Sequence, residues 1–264
     1  MIRRLLLIPM ALVALAALAC SGGDSQPTAA LTVTAELSQL PAGADPDQAL
    51  SDAAETLRKR AGSYGVTEPQ ITIAGNSITL TLKGIDNDSA RQLATQHGTL
   101  EFRREQITTD GLVVCQTPQG EQFGVPPQAV NPDDRSHSFA RCISLDKLGE
   151  PVWVAAEVGD GSGGTTALTQ DNVQPGGWEL RNDNTAISVH FTPEGGDLLQ
   201  RLTALLKGYH LGLFLDGELV AAPRIQRAIT DGNPLISGFS APRARVIAAV
   251  LNSPPLTVTL NPSP

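Results

Sequence analysis

Three cysteines, four histidines and one glycine-rich run are the residues of this 264-residue chain whose types and spacing invite a chemical reading. Cys20 ends a segment in which Arg3 and Arg4 precede an apolar run over residues 5–19, and Ser21, Gly22 and Gly23 follow it. A basic start, a short apolar core and small residues at the break are the parts of an export signal. A cysteine at the break makes the expected product a lipoprotein: the Cys20 thiol takes a diacylglyceryl thioether, and Cys20 becomes the new N-terminus. Residues 16–20 fit a lipobox in which Ala17 stands for the usual leucine. A membrane-spanning helix wants about 20 apolar residues, and this run is shorter.

An oxidising compartment then gives the other two cysteines a use. With Cys20 lipidated, Cys115 and Cys142 remain as an even pair, and a disulfide is expected between them. On the chain-entropy account such a bridge stabilises by about 3–4 kcal/mol. The competing use is metal, because His137 lies between the two; without a paired C-x-x-C, this is a poor zinc set.

Catalytic patterns are thin. Gly159-Asp160-Gly161-Ser162-Gly163-Gly164 satisfies G-x-G-x-x-G, but a dinucleotide site needs a helix opening there, and residues 165–177 hold Pro175 and no helical period. The same run approaches the Gly-Asp-Ser-Gly-Gly of trypsin-like proteases, with Gly161 interrupting it and no histidine in the surroundings a general base requires. A flexible loop is the expected structure. His97, His137, His190 and His210 show no metal spacing, Asp86 and Asp88 suit a helix cap, and Asp133-Asp134 suits a turn. Neither an enzyme, a metal nor a cofactor is expected.

The elements that must position these residues follow from periodicity. Residues 31–36 alternate as a strand, Asp45 and Pro46 cap and start a helix, and Leu50, Ala53, Ala54, Leu57 and Ala61 stripe one face of it. Strands at 70–74 and 77–83 hinge at Gly75-Asn76, a short helix is expected at 89–96, and a strand at 99–103. The order β-α-β-β-α-β recurs further on. A strand at 186–191 meets a helix capped by Thr192 and started by Pro193, a hairpin turns at Asp216-Gly217, a helix begins near Ser240, and a strand closes at 256–260. The fold class is therefore α+β: two split β-α-β, ferredoxin-like units with helices on one face of antiparallel sheets.

The later half resembles the head subdomain in the first extracytoplasmic domain of the protein translocase subunit SecD. The residues that carry this are Thr192-Pro193-Glu194-Gly195, Leu215-Asp216-Gly217, Ala221-Ala222-Pro223, Ile229, Gly232 and Ile236-Ser237-Gly238-Phe239. The earlier half is similar to the base subdomain, through Leu57-Arg58-Lys59-Arg60, Gly65-Val66, Glu68-Pro69, Ile71, Ile78, Leu82, Gly84 and Thr99-Leu100-Glu101-Phe102. The expected organisation is a signal at 1–20, a flexible tether at 21–30, a base-like unit at 31–105, an irregular Gly/Pro-rich insertion at 106–184 and a head-like unit at 185–264.

The resemblance implies a binding module that contacts unfolded exported polypeptide or translocase subunits at the extracytoplasmic face, with the lipid as its membrane attachment. In SecD this domain hangs from helices that couple ion flow to export; their counterparts are missing from the resemblance, so no motor is expected. Trp153, Trp178 and Phe239 are the candidate partner contacts, because aromatic residues dominate many interfaces. The alternative is a reused fold acting as a ligand-binding or hydrolytic envelope lipoprotein. Nucleic acid is excluded by charge: removing a leader with Arg3, Arg4 and no acidic residue takes the net from −8 to −10.

Overall fold

The computed structural model describes residues 27–131, 141–144 and 146–263; the leader with Cys20, and Asp133, Asp134 and His137, lie outside them. β1 (Thr28–Ala35) turns Ala29, Val33 and Ala35 inward and Thr32 and Thr34 outward. Its start overlaps the segment expected to be tether, because Thr28 to Ala30 pair with Lys83 to Thr81 and Ala29 is fully buried. Asp45 caps α1 (Pro46–Tyr64) by accepting from the Asp47 N–H, and Gly65, at φ 106°, ends it in the left-handed region that an L side chain resists. β2 (Gln70–Ala74) and β3 (Ser77–Lys83) form the expected hairpin. α2 (Asn87–Thr95) is capped by Asp86, which takes the Ser89 N–H at 2.8 Å, and β4 (Leu100–Glu105) follows.

The described residues of the segment expected to be irregular carry a series of short strands. β5 (Val113–Gln116), β6 (Gln122–Val125), β7 (Val130–Asn131), β8 (Arg141–Ile143) and β9 (Leu148–Pro151) make an antiparallel sheet in the order β6-β5-β9-β8-β7. Strands of two to four residues are too short to show a period in sequence, which is why composition pointed to a loop. Cys115 and Cys142 are bonded across this sheet with Cα atoms 6.2 Å apart. They form a small core of their own with Val113, Val125 and Val130.

β10 (Trp153–Ala155) leads into a hairpin of β11 (Glu157–Gly159) and β12 (Thr165–Ala167), and β13 (Val173–Arg181) and β14 (Ala186–Phe191) follow. Then come α3 (Pro193–Leu205), β15 (Leu211–Leu215), β16 (Glu218–Ala221), β17 (Leu235–Ser237), α4 (Ala241–Leu251) and β18 (Leu260–Pro262). The two β-α-β-β-α-β runs complete their sheets across one another. The N-terminal sheet has the order β18-β1-β3-β2, so its fourth place is filled from the C-terminal end, while β4 lies in a central sheet of order β10-β4-β15-β16. A third sheet has the order β13-β14-β17.

α4 is buried all round, from Ala244 through Val246 to Leu251, because α1 and α2 pack on one side of it and β13 and β14 on the other. One continuous core therefore contains Leu57 of α1 and Ile78, Leu80 and Leu82 of β3 together with Ile187, Leu202 and Ile247 from the later half. Among the described residues no helix is long and apolar enough to cross a membrane.

Candidate functional site

The central and third sheets enclose a groove of about 700 Å³. Phe102 of β4 and Leu211 and Leu213 of β15 form one wall; Phe191 of β14 and Ile236 of β17 form the other, with Leu199 of α3 also lining it. The period of two explains the wall: Leu211 and Leu213 face the groove, and Gly212 and Phe214 face away from it. The Phe102 and Phe191 rings meet at 5.6 Å with a 47° tilt. The segment over residues 223–234 also lines the groove and contributes the ionisable groups Arg224, Arg227 and Asp231. Arg224 Nε donates to the Gly208 carbonyl. Among the described residues Asp231 is the one carboxylate lining this groove, and no group of three His, Cys, Asp or Glu side chains could hold a metal ion.

Among the described residues β17 is an edge strand at the groove, paired on one side with β14 and open on the other. Leu235 sits on it half out in solvent, at 54% exposure, while its neighbour Ile236 is buried. Apolar pockets beside an open row of backbone N–H and C=O groups are the features by which a sheet edge takes an added extended strand.

The three aromatic residues singled out from sequence do not converge here. Trp178 is 4% exposed in the shared core, and the Asn252 side chain ties its backbone by accepting from the Trp178 N–H and donating to its carbonyl. Trp153 stands edge-on to Phe214 at 5.5 Å on the opposite face of the central sheet, with Gly212 leaving room for its ring. Phe239 is partly buried against the core just before α4. Aromatic type alone does not separate core from surface, and in this chain large rings went to cores because each sheet face there is covered. Phe102 and Phe191, which do line the groove, carried only the ordinary strand pattern.

The glycine-rich run is the turn of the β11–β12 hairpin, followed by a strand and no helix. Asp160 Oδ1 accepts from the Ser162 and Gly164 N–H groups and the Ser162 hydroxyl, and these bonds, the Ser162 amide first, hold the carboxyl below the usual carboxylate range. His190 lies between Asn233 and Glu179, at 2.6 and 3.1 Å. His97 reaches Leu256 and Thr259. His210 is fully buried against Glu105, a pairing that nothing in the sequence signals because 105 residues separate the two.

Fold and groove together define an α+β domain of two split β-α-β runs around a sheet-lined groove. The family descriptions that match say which: "SecDF, P1 head subdomain" covers residues 162–258, and "Protein translocase subunit SecDF, P1 domain, N-terminal" covers residues 50–106. The chain is thus similar in both of its parts to the P1 domain of SecD and SecDF. The protein translocase subunit SecDF of Thermus thermophilus is 32% identical over 217 residues, which is 80% of this chain and 27% of that protein. SecD of Endomicrobium trichonymphae is 28% identical over 86% of this chain and 49% of that protein. A crystal structure of SecDF in its super-membrane-facing form matches with a TM-score of 0.51 and 26% identity, over 91% of this chain and 30% of that one. The chain spans less than half the length of each of these relatives.

Proposed function

We propose that this protein is an extracytoplasmic binding module accessory to protein export, held at the membrane by lipid on Cys20. Its groove receives extended segments of translocating polypeptide. The observation that carries the reading is the pairing of an apolar groove with the open edge of β17 at its mouth. An unfolded segment would add its backbone to β17 and place alternate apolar side chains against Phe102, Phe191 and Leu213. Such a mode reads extension and apolarity rather than one sequence, which suits a partner that varies. The names of the relatives, protein translocase subunits, support export as the setting.

The test is photocrosslinking in cells. A photoreactive residue at position 235, at the groove mouth, is compared with one at position 32, on the threonine face of the N-terminal sheet. Captured exported chains at position 235, above position 32 and above an unrelated lipoprotein, are the expected result. Equal capture at the two positions would remove the groove from the function.

A further inference from the structure

Two segments carry the chain from one half into a sheet of the other: residues 96–99, between α2 and β4, and residues 252–259, between α4 and β18. They run side by side. The Leu256 N–H donates to the His97 carbonyl at 2.8 Å, and the His97 ring lies 3.4 Å from the Leu256 carbonyl and 3.3 Å from the Thr259 hydroxyl.

Two charged side chains grip the first crossing from opposite halves. Arg60 of α1, fully buried, donates to the Leu93 carbonyl at 2.9 Å, to the Gln96 carbonyl, and to the His97 carbonyl at 2.8 Å. These carbonyls lie at the C-terminal end of α2, where intrahelical donors run out. Asp216 comes from the other side, on the β15–β16 turn. Its carboxylate accepts from the Gly98 N–H at 2.9 Å and the Thr99 N–H at 2.8 Å, and its own N–H donates to the Thr99 carbonyl at 2.8 Å.

The backbone is shaped for this grip. Asp216 and Gly217 have φ of 54° and 83°, the pair of positive values a tight two-residue hairpin turn requires. Gly98 has φ of 94°, and a Cβ there would stand 3.0 Å from Arg60 Nη2. Burial pulls the Arg60 guanidinium down to about 10, with Asp216 acting in the opposite direction, so the side chain remains a cation at neutral pH.

We propose that Arg60 and Asp216 form a latch on the paired crossings, so that the N-terminal and central sheets keep one orientation only while residues 96–99 are gripped from both sides. Release at Asp216 reaches the second crossing through the bonds that His97 shares with Leu256 and Thr259.

Native-state amide exchange on the full chain tests this, with Asp216→Ala and Asp216→Asn beside the wild type. In Asp216→Ala, exchange rises about tenfold or more at Gly98 and Thr99, as loss of a charge-assisted acceptor requires. It rises with them at Leu256 and at Glu36, whose N–H donates to the Thr259 carbonyl. Ala35, the preceding residue on β1, donates to Asn76 and keeps its rate. Asp216→Asn, which retains an acceptor oxygen, restores part of the protection at all four. Acceleration confined to Gly98 and Thr99 would overturn the latch, and so would a uniform rise that includes Ala35. Should Asp216→Ala not fold, Arg60→Lys, which keeps the charge and loosens the grip, is read on the same amides by the same criterion.

Discussion

Glu105 and His210 meet in full burial, with Glu105 Oε1 2.9 Å from His210 Nδ1 and Oε2 accepting the His210 backbone N–H at 2.9 Å. The contact joins the last residue of β4 to the residue ahead of β15, two strands contributed by different halves of the chain and paired in the central sheet. Both carboxylate oxygens are used, and neither group reaches solvent.

Removing one partner should therefore cost more than removing both. Glu105→Ala leaves two buried donors of His210 without an acceptor, and a loss of about 3–5 kcal/mol is expected. Glu105→Leu combined with His210→Phe removes the ring donor and leaves only the backbone N–H of residue 210 without its acceptor, so it should lose less than Glu105→Ala alone, and urea unfolding midpoints of the variants check this. A double variant as unstable as the single one would mean that the pair contributes more than mutual satisfaction.

The Asp86 cap should give a signature in pH. Its partial burial raises the carboxyl's pKa, but the Ser89 amide and hydroxyl outweigh this, so the net shift is downward. A carboxylate whose folded pKa is lowered contributes stability that is fully present above its unfolded value and is lost as pH falls through the folded one. Asp86→Ala should cost about 1 kcal/mol near neutrality. Thermal unfolding of the two proteins should converge once the pH falls below the lowered value.

Reducing the Cys115–Cys142 bond should act mainly on the insertion. Its small core is separate from the main one. Replacing both cysteines by serine should cost about 3–4 kcal/mol on the chain-entropy account. Amide exchange should rise across β5, β8 and β9 while β1 and β3 retain their protection.

Gly212 is a packing constraint rather than a turn. A Cβ there would lie 2.8 Å from the Phe214 ring and 2.9 Å from the Trp153 ring. Gly212→Ala should destabilise by about 1–3 kcal/mol, measured by denaturant unfolding, because the two rings, packed edge-on at 5.5 Å, must shift to admit the methyl group.

At the groove, Leu235→Asp should reduce capture of exported polypeptide several-fold, as loss of an apolar contact at an interface does. Its exposure predicts little change in stability, which thermal unfolding would verify. A variant that captures substrate normally would place the contact elsewhere.

The long periodic elements were legible from sequence. Asp45-Pro46, Thr192-Pro193 and Ser240 start helices where expected, and β14 occupies the expected residues 186–191. The closing strand lies at Leu260–Pro262, later than expected, since Leu256 and Val258 are buried without joining a ladder. Partner choice was not legible, because an alternating strand records which face is buried and says nothing of which edge it joins. The groove was hidden for the same reason: its wall residues are ordinary inward positions until two sheets stand apart. Arg60 was visible only as part of a matching run, and its burial depends on carbonyls more than 30 residues away.

The exchange of final strands constrains the order in which this chain can become native. β18 pairs Pro262 with Val33, and Thr34 meets Ser263 across 229 residues. A chain emerging N-terminus first therefore has β1 to β3 available while the strand that completes their sheet is still to come. Until then one side of β1 is an open edge, and β4 has no β15 to join. Closing such distant pairs is slow, and unpaired edges invite wrong partners while they wait. The first sheet closes only once residues 260–262 have arrived.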